Sequence, residues 1–287
     1  MYKDRHKALS DLTADKPNKI KLFFKNFLIA LKVYFLYRHL KNYIRYRVWD
    51  EYMFNWLSFE INSMCNRKCE HCPNFRHSRP YGFMPEEIFK KCIDEISKIN
   101  YNGFIFYNFY SEPLLDKRLA SFVMYAKQKC PCAKNVIFTN GDFLTRPLFK
   151  KLITAGVDLF IISQYDNYIT KNITEILQKS TEQEKNKICI ELKKDLRFHN
   201  RGGLCPGYGV EINKHSKCLR PTFELIITFN GNVLPCCNDY FEKYILGNVR
   251  EMNLLKIWVL PKSKKFRRDL AAGYRQKYEL CKNCNAW

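Results

Sequence analysis

The chain has 287 residues, 46% of them hydrophobic and 15% aromatic, which argues against general disorder and provides for one large domain or a domain with a small appendage. Its 49 Lys and Arg against 28 Asp and Glu leave a net charge of +21, which favours a polyanionic or anionic-surface partner such as nucleic acid, acidic lipid or a phosphorylated substrate. Thirteen cysteines, an odd number gathered in short clusters and preceded by no secretory pattern, read as cytosolic thiols or metal ligands and not as a disulfide framework.

Residues 1–18 are polar. From Lys21 to Trp49 aromatic, aliphatic and basic residues mix, and Lys25, Lys32 and Arg38 interrupt the apolar run, which disfavours a transmembrane helix. Lys21, Lys25 and Lys32 share one helical face, whereas Arg38, Lys41 and Arg45 fall on the opposite one. This predicts two helices or one kinked helix, packed on the main domain or lying on an anionic membrane at the inner face of the cell. From residue 57 the pattern becomes rhythmic. Strand-like runs at 57–62, 103–109, 135–140, 157–163 and 187–192 alternate with the helical segments MPEEIFKKCIDEISKI, LDKRLASFVMYAKQK, RPLFKKLITAG and TKNITEILQKS. That order predicts right-handed βαβ units and a parallel sheet, with ligands bound in the loops after the strands. Beyond residue 200 a Gly-containing loop leads to a hairpin candidate, FELIITFNGNVLPCC, with Asn230-Gly231 at its turn. A basic helix candidate and a terminal CKNCNAW follow. The predicted organisation is a tail and basic helical segment over 1–54, a βα core over 55–204 and a cysteine-organised module over 205–287.

The loop CNRKCEHCP places Cys65, Cys69 and Cys72 directly after the first predicted strand. Three thiolates on one short loop hold three irons of a [4Fe–4S] cube and leave the fourth open. Zinc closed by His71 or His77 is the alternative, since a structural zinc site takes four ligands. Four more cysteines, Cys218, Cys236, Cys281 and Cys284, stand at C-x17-C-x44-C-x2-C in the C-terminal module, a set that closes a second metal site. Cys205 is a substitute ligand there. Cys237 is expected on the strand face opposite Cys236, and Cys92, Cys130, Cys132 and Cys189 are expected to serve packing.

The C-x3-C-x2-C loop after the first strand of a βα repeat resembles the radical S-adenosylmethionine (SAM) enzymes, and the position before the third cysteine, His71, fits that pattern. Tyr110-Ser111-Glu112-Pro113 resembles the family's GGEP motif, with both glycines replaced; Thr139-Asn140-Gly141 resembles its TNG, and Ser163 with Asp166 its S-x-D stretch. The C-terminal Cys218, Gly231 and Cys236 resemble the opening of a SPASM domain in its shortened, twitch form. The resemblance implies an α/β fold, a partial (β/α) TIM-like barrel with a small hairpin-containing cluster module and an N-terminal helical extension. It implies two [4Fe–4S] clusters. One is held by Cys65, Cys69 and Cys72 and chelates SAM; the other is auxiliary and held by Cys218, Cys236, Cys281 and Cys284.

His71, Ser111, Glu112, Pro113, Asn140 and Ser163 are the implied SAM-site residues. The family's chemistry is reductive SAM cleavage to a 5′-deoxyadenosyl radical that removes a substrate hydrogen. Twitch dehydrogenases of aminoglycoside biosynthesis oxidise a cyclitol alcohol, so dehydrogenation of a sugar- or cyclitol-type alcohol is expected, with peptide or protein modification as the competing reading. Arg201, between core and module, is the candidate substrate-facing residue. The basic charge suits a phosphorylated or nucleotide-linked sugar, and a flavodoxin or ferredoxin is the implied electron donor. The alternative of another class is a basic zinc protein presenting Lys and Arg to nucleic acid, against which the dispersal of the basic residues speaks.

Overall fold

A computed structural model describes residues 54–209 and 215–286; the predicted N-terminal helical segment and its membrane contact lie outside them. Five strands, β1 (Trp56–Phe59), β2 (Phe104–Phe106), β3 (Lys134–Thr139), β4 (Leu159–Gln164) and β5 (Ile188–Leu192), pair in parallel in the order β5-β4-β3-β2-β1. Their runs of β-branched and aromatic residues are covered on both faces, as parallel strands require. The helices between them are α1 (Glu86–Ser97), α2 (Leu119–Lys129), α3 (Arg146–Ala155) and α4 (Lys171–Gln178), followed by the short α5 (Glu182–Lys185). In α1 the buried Ile88, Phe89, Cys92, Ile93 and Ile96 recur at helical spacing and form its sheet-facing stripe. Thr145 caps α3 by accepting from the Leu148 amide, and Gly156 ends it at φ 110°.

Alternate strand residues divide the interior in two. Leu57, Phe59, Ile105, Tyr107 and Ile137 join the main core with the helices, whereas Phe104, Phe106, Val136, Leu159, Ile161 and Cys189 form a second apolar cluster flanked by Trp56 and Phe138. The second set lines the inside of the partial barrel. Two of the predicted strand runs are shorter than expected: β1 stops at Phe59 and β2 at Phe106. The chain leaves the sheet there because the following residues build the loops of the site.

The sheet does not end at β1. On its other edge β6 (Glu224–Ile227) pairs with β1 in parallel, Leu57 opposite Leu225, then turns into the antiparallel β7 (Asn232–Leu234) and the two-residue β8 (Gly247–Asn248). The hairpin stands where Asn230-Gly231 predicts it, with Gly231 at φ 91° and Asn230 outside the left-handed region. Helices α6 (Leu254–Val259), α7 (Pro261–Ala271) and α8 (Glu279–Lys282) complete the module. Glu95 of α1 anchors α6 by accepting from the Leu254 amide at 2.7 Å. No helix among the described residues is long and apolar enough to cross a membrane.

Candidate functional site: two cysteine sets at the strand ends

Cys65, Cys69 and Cys72 occupy the loop that follows β1, turned by a hydrogen bond from the Cys72 amide to the Cys69 carbonyl at 2.9 Å. Burial raises all three thiol pKa values, that of Cys69 to about 11, and Cys72 pushes up both Cys65 and Cys69. A bound cation reverses the effect, because its charge deprotonates coordinating thiols. The nearby Arg67 and Asn74 backbone amides work against that rise at Cys65 and Cys72, and amides near the sulfurs are the kind of donor that a cluster thiolate uses. His71 is boxed in by aromatic rings. Its ring stacks between Phe198 (4.0 Å) and Tyr165 (4.8 Å), with Tyr208 edge-on at 6.2 Å, and burial lowers its pKa to about 4.

The loop is tied to the strands beside it, in part through residues that the motifs did not single out: Asn66, Arg67 and Asp142. Arg67 forms a two-pronged ion pair with Asp142, both bonds 2.6 Å, and reaches Asp166 at 2.9 Å. Asn66 donates to Asp142 at 2.6 Å and accepts from the Asn140 side chain at 2.9 Å. For Arg67 and Asp142 the signal in the sequence was an Arg inside the cysteine loop and an Asp after TNG, which reads equally well as solvated charge.

Behind them Glu112 is 2% exposed. Its carboxylate accepts from the Thr139 hydroxyl (2.7 Å), the Asn140 amide (2.9 Å) and the Leu114 amide (3.1 Å). Burial nevertheless outweighs these bonds and lifts its pKa to about 7. Pro113 opens the single 3-10 turn that Glu112 caps. Ser163, at the end of β4, donates to Glu191 at 3.4 Å. In the same region the Ser111 and Tyr110 hydroxyls and Arg201 Nε are buried without a hydrogen-bond partner. Orphaned buried polar atoms are costly, so their presence around one loop marks a place built for a polar ligand. These donors fit SAM and a polar substrate.

In the module Cys218, Cys236, Cys281 and Cys284 all line one cavity, together with Arg220, Asn238, Leu270 and Arg275. Asn238 donates from its amide to Cys236 Sγ and from its side chain to Cys284 Sγ, both at 3.4 Å. Arg275 braces the terminal segment by donating to the Ser216, Cys284 and Ala286 carbonyls. Four thiols on one largely apolar cavity fit a fully ligated iron–sulfur cluster. Among the described residues the one trio of ligand atoms within 4.8 Å of one another is Glu224, Cys236 and Cys237.

Two expectations about the remaining cysteines change, those for Cys237 and Cys132. Cys237 does not stand across the sheet from Cys236. Both follow the end of β7, where strand alternation no longer applies, and Cys237 lies beside Cys236 and takes a hydrogen bond from Arg220 at 2.8 Å. It is absent from the cavity lining, as is the buried Cys205, the alternative to which the spacing preferred Cys218. Cys132 is exposed, so it serves no packing.

Arg201 lies beside Tyr110. Its guanidinium carbon sits 5.9 Å from the centre of the Tyr110 ring. Burial opposes its charge, but Tyr110, Cys237 and Cys72 outweigh that and hold its pKa above the ordinary value. The backbone there is left-handed, φ 51°, and the Arg201 amide donates to Nδ1 of His199, a ring kept neutral by burial and by Arg201 with a pKa of about 3.

Comparison with known proteins agrees with this geometry. Residues 218–285 match the SPASM family, an iron–sulfur cluster-binding domain. The chain is 35% identical over 234 residues to the S-adenosyl-L-methionine-dependent 2-deoxy-scyllo-inosamine dehydrogenase of Niallia circulans, an alignment covering 81% of this chain and 93% of that protein. Among solved structures, BtrN in complex with AdoMet and 2-DOIA superposes with a TM-score of 0.77 at 34% identity, over 82% of this chain and 94% of that one. BtrN in an open conformation covers the same shares at 31% identity with a TM-score of 0.66. These matches set aside the zinc-protein reading, and the chain belongs to the radical SAM enzymes that carry a SPASM iron–sulfur domain, with SAM and [4Fe–4S] clusters as its cofactors.

Proposed function

We propose that this enzyme oxidises a secondary alcohol of a small cyclitol- or sugar-type substrate to a ketone. The observation that carries the reading is the four-thiol cavity. Four protein ligands leave a cluster no open position, so it exchanges electrons and does not chelate substrate. When bound, the cofactors supply a hydrogen-abstracting 5′-deoxyadenosyl group at the first loop and an acceptor for the second electron in the module.

The protein's own residues have separate tasks. Cys65, Cys69 and Cys72 hold one cluster with a position left for SAM, and Glu112, Asn140 and Ser163 shape the SAM site. His71 keeps its aromatic box dry. Arg201 cannot act as a base, because a guanidinium keeps its proton. It instead binds the alcohol oxygen as that oxygen loses its own proton and gains negative charge. The dehydrogenase relative from Niallia circulans, alike over 93% of its length, supports a small-molecule substrate. The net charge of +21 supports an anionic one, and a flavodoxin- or ferredoxin-type protein is the proposed electron donor.

The test is an anaerobic assay of the reconstituted enzyme with SAM, dithionite and 2-deoxy-scyllo-inosamine, alongside cyclitols and sugars with and without phosphate. The expected result is one 5′-deoxyadenosine per ketone formed. Deoxyadenosine release that no alcohol stimulates, while a peptide is modified instead, sinks the proposal.

A further inference from the structure

The segment from Phe198 to Gly209 joins the two cysteine sets. On one side Phe198 and Tyr208 enclose His71 of the first loop. On the other side two asparagines 85 positions apart clasp each other: the Asn200 amide donates to Asn285 Oδ1 at 2.8 Å and the Asn285 amide to Asn200 Oδ1 at 3.1 Å. Each remaining side-chain donor is also used, Asn200 Nδ2 on the Asn283 carbonyl at 2.5 Å and Asn285 Nδ2 on the Tyr208 carbonyl at 2.8 Å. Asn283 and Asn285 flank Cys284, so this end of the clasp sits on the rim of the four-cysteine cavity.

The residues that the clasp holds are the ones least able to hold themselves. Arg201, Gly202 and Gly203 follow one another at φ 51°, 71° and 94°, and a left-handed arginine persists only where its surroundings fix it. A Cβ on Gly202 would stand 3.4 Å from the Asn238 and Leu280 carbonyl oxygens, so the turn lies directly against the module. The Asn200 carbonyl closes the turn by accepting from the Gly203 and Cys205 amides, both at 2.9 Å.

We propose that the Asn200–Asn285 clasp is a positioning device that seats Arg201 in the reaction chamber, so that filling the four-cysteine cavity and placing Arg201 are one event. It rests on the reading that Cys218, Cys236, Cys281 and Cys284 hold the auxiliary cluster. Ligation fixes the Cys281–Cys284 segment, that segment fixes Asn283 and Asn285, and these fix Asn200 beside Arg201. The order is set by covalent neighbours and hydrogen bonds, with no movement of the barrel.

The experiment reads trypsin cleavage after Arg201 by mass spectrometry, in the full chain before and after anaerobic iron and sulfide reconstitution. Loading should slow that cut at least tenfold in the wild type. In Asn200→Ala and Asn285→Ala, with iron content unchanged, the protection should fall below threefold, and Asn200→Asp, which keeps the acceptor for the Asn285 amide, should recover part of it. Equal protection in wild type and both alanine variants overturns the clasp. Should Asn285→Ala lose iron, Asn200→Ala decides, because Asn200 is remote in sequence from every proposed ligand. A variant with all four module cysteines replaced that still binds the wild-type amount of iron overturns the underlying cluster reading instead.

Discussion

Glu112 shows how one residue carries two demands. As an acceptor of three hydrogen bonds it locks the loop after β2 to the start of the loop after β3, yet burial holds its pKa near 7. Its folded pKa is raised above the unfolded value of 4.5, so the stability it contributes is fully present below pH 4.5 and is lost as pH rises through about 7. Glu60, buried beside Arg79 and raised to about 7, and Glu224, raised to about 8, act in the same direction. His71 and His199, held neutral with pKa values of about 4 and 3, act the other way below pH 6.5, so the cluster-free protein should be less stable at pH 8 than at pH 6.5, and Glu112→Gln should flatten part of that slope. The same substitution sets an amide donor against the Asn140 N–H or the Thr139 hydroxyl and should cost about 1–3 kcal/mol at pH 8. Urea unfolding of both proteins at the two pH values checks this; parallel slopes would contradict it. The motif pointed to Glu112 from the sequence, but its partners Thr139 and Asn140 lie 27 and 28 positions away, a distance that only the pairing of β2 with β3 closes.

Among the elements, the cysteine loop depends on strands other than its own. It leaves β1, but Arg67 fastens it to Asp142 after β3 and to Asp166 after β4. The Asp142 pair is the stronger of these because it is two-pronged and less exposed, at 21% and 23% for the two side chains against 46% for Asp166. Arg67→Lys keeps the charge and loses the fork. It should lower SAM-dependent deoxyadenosine formation about tenfold while the module retains its iron, whereas Asp166→Asn should change it less than threefold. Iron analysis beside a single-turnover assay separates the two, and equal effects would show that charge alone matters. The strand order was legible in the βα rhythm because buried parallel strands read as short apolar runs. The loop ties were not, since charged residues in loops carry no periodicity.

On the scale of the whole molecule, core and module share one eight-stranded sheet, with β6 paired to β1 across the boundary drawn from the sequence at 204/205. Cooperativity follows from that continuity, because β6 cannot leave without exposing Leu57 and Phe59 of the central strand, both fully buried. Heat unfolding of the cluster-free chain should show one transition for both parts. Two well-separated transitions in calorimetry would mean that the β1–β6 pairing is weak. A tighter version of the same test is Leu225→Ala, a buried position opposite Leu57. It should destabilise the whole chain by about 2–5 kcal/mol and melt core and module together.

The amino-acid sequence by itself determined what local pattern and ligand chemistry can encode. It held the alternation that makes a parallel sheet, the three cysteines of the loop after the first strand, and the four of the C-terminal module. It also placed the hairpin at Asn230-Gly231. Tertiary structure alone decided which distant groups meet: Arg67 with Asp142, Glu112 with Thr139, Asn200 with Asn285, and Cys237 beside Cys236 and not opposite it. The reason is physical. A thiol spacing or a hydrophobic period is a property of neighbours along the chain, whereas a hydrogen bond across 85 residues exists only after the strands between have been paired and the loops have been left where the sheet ends.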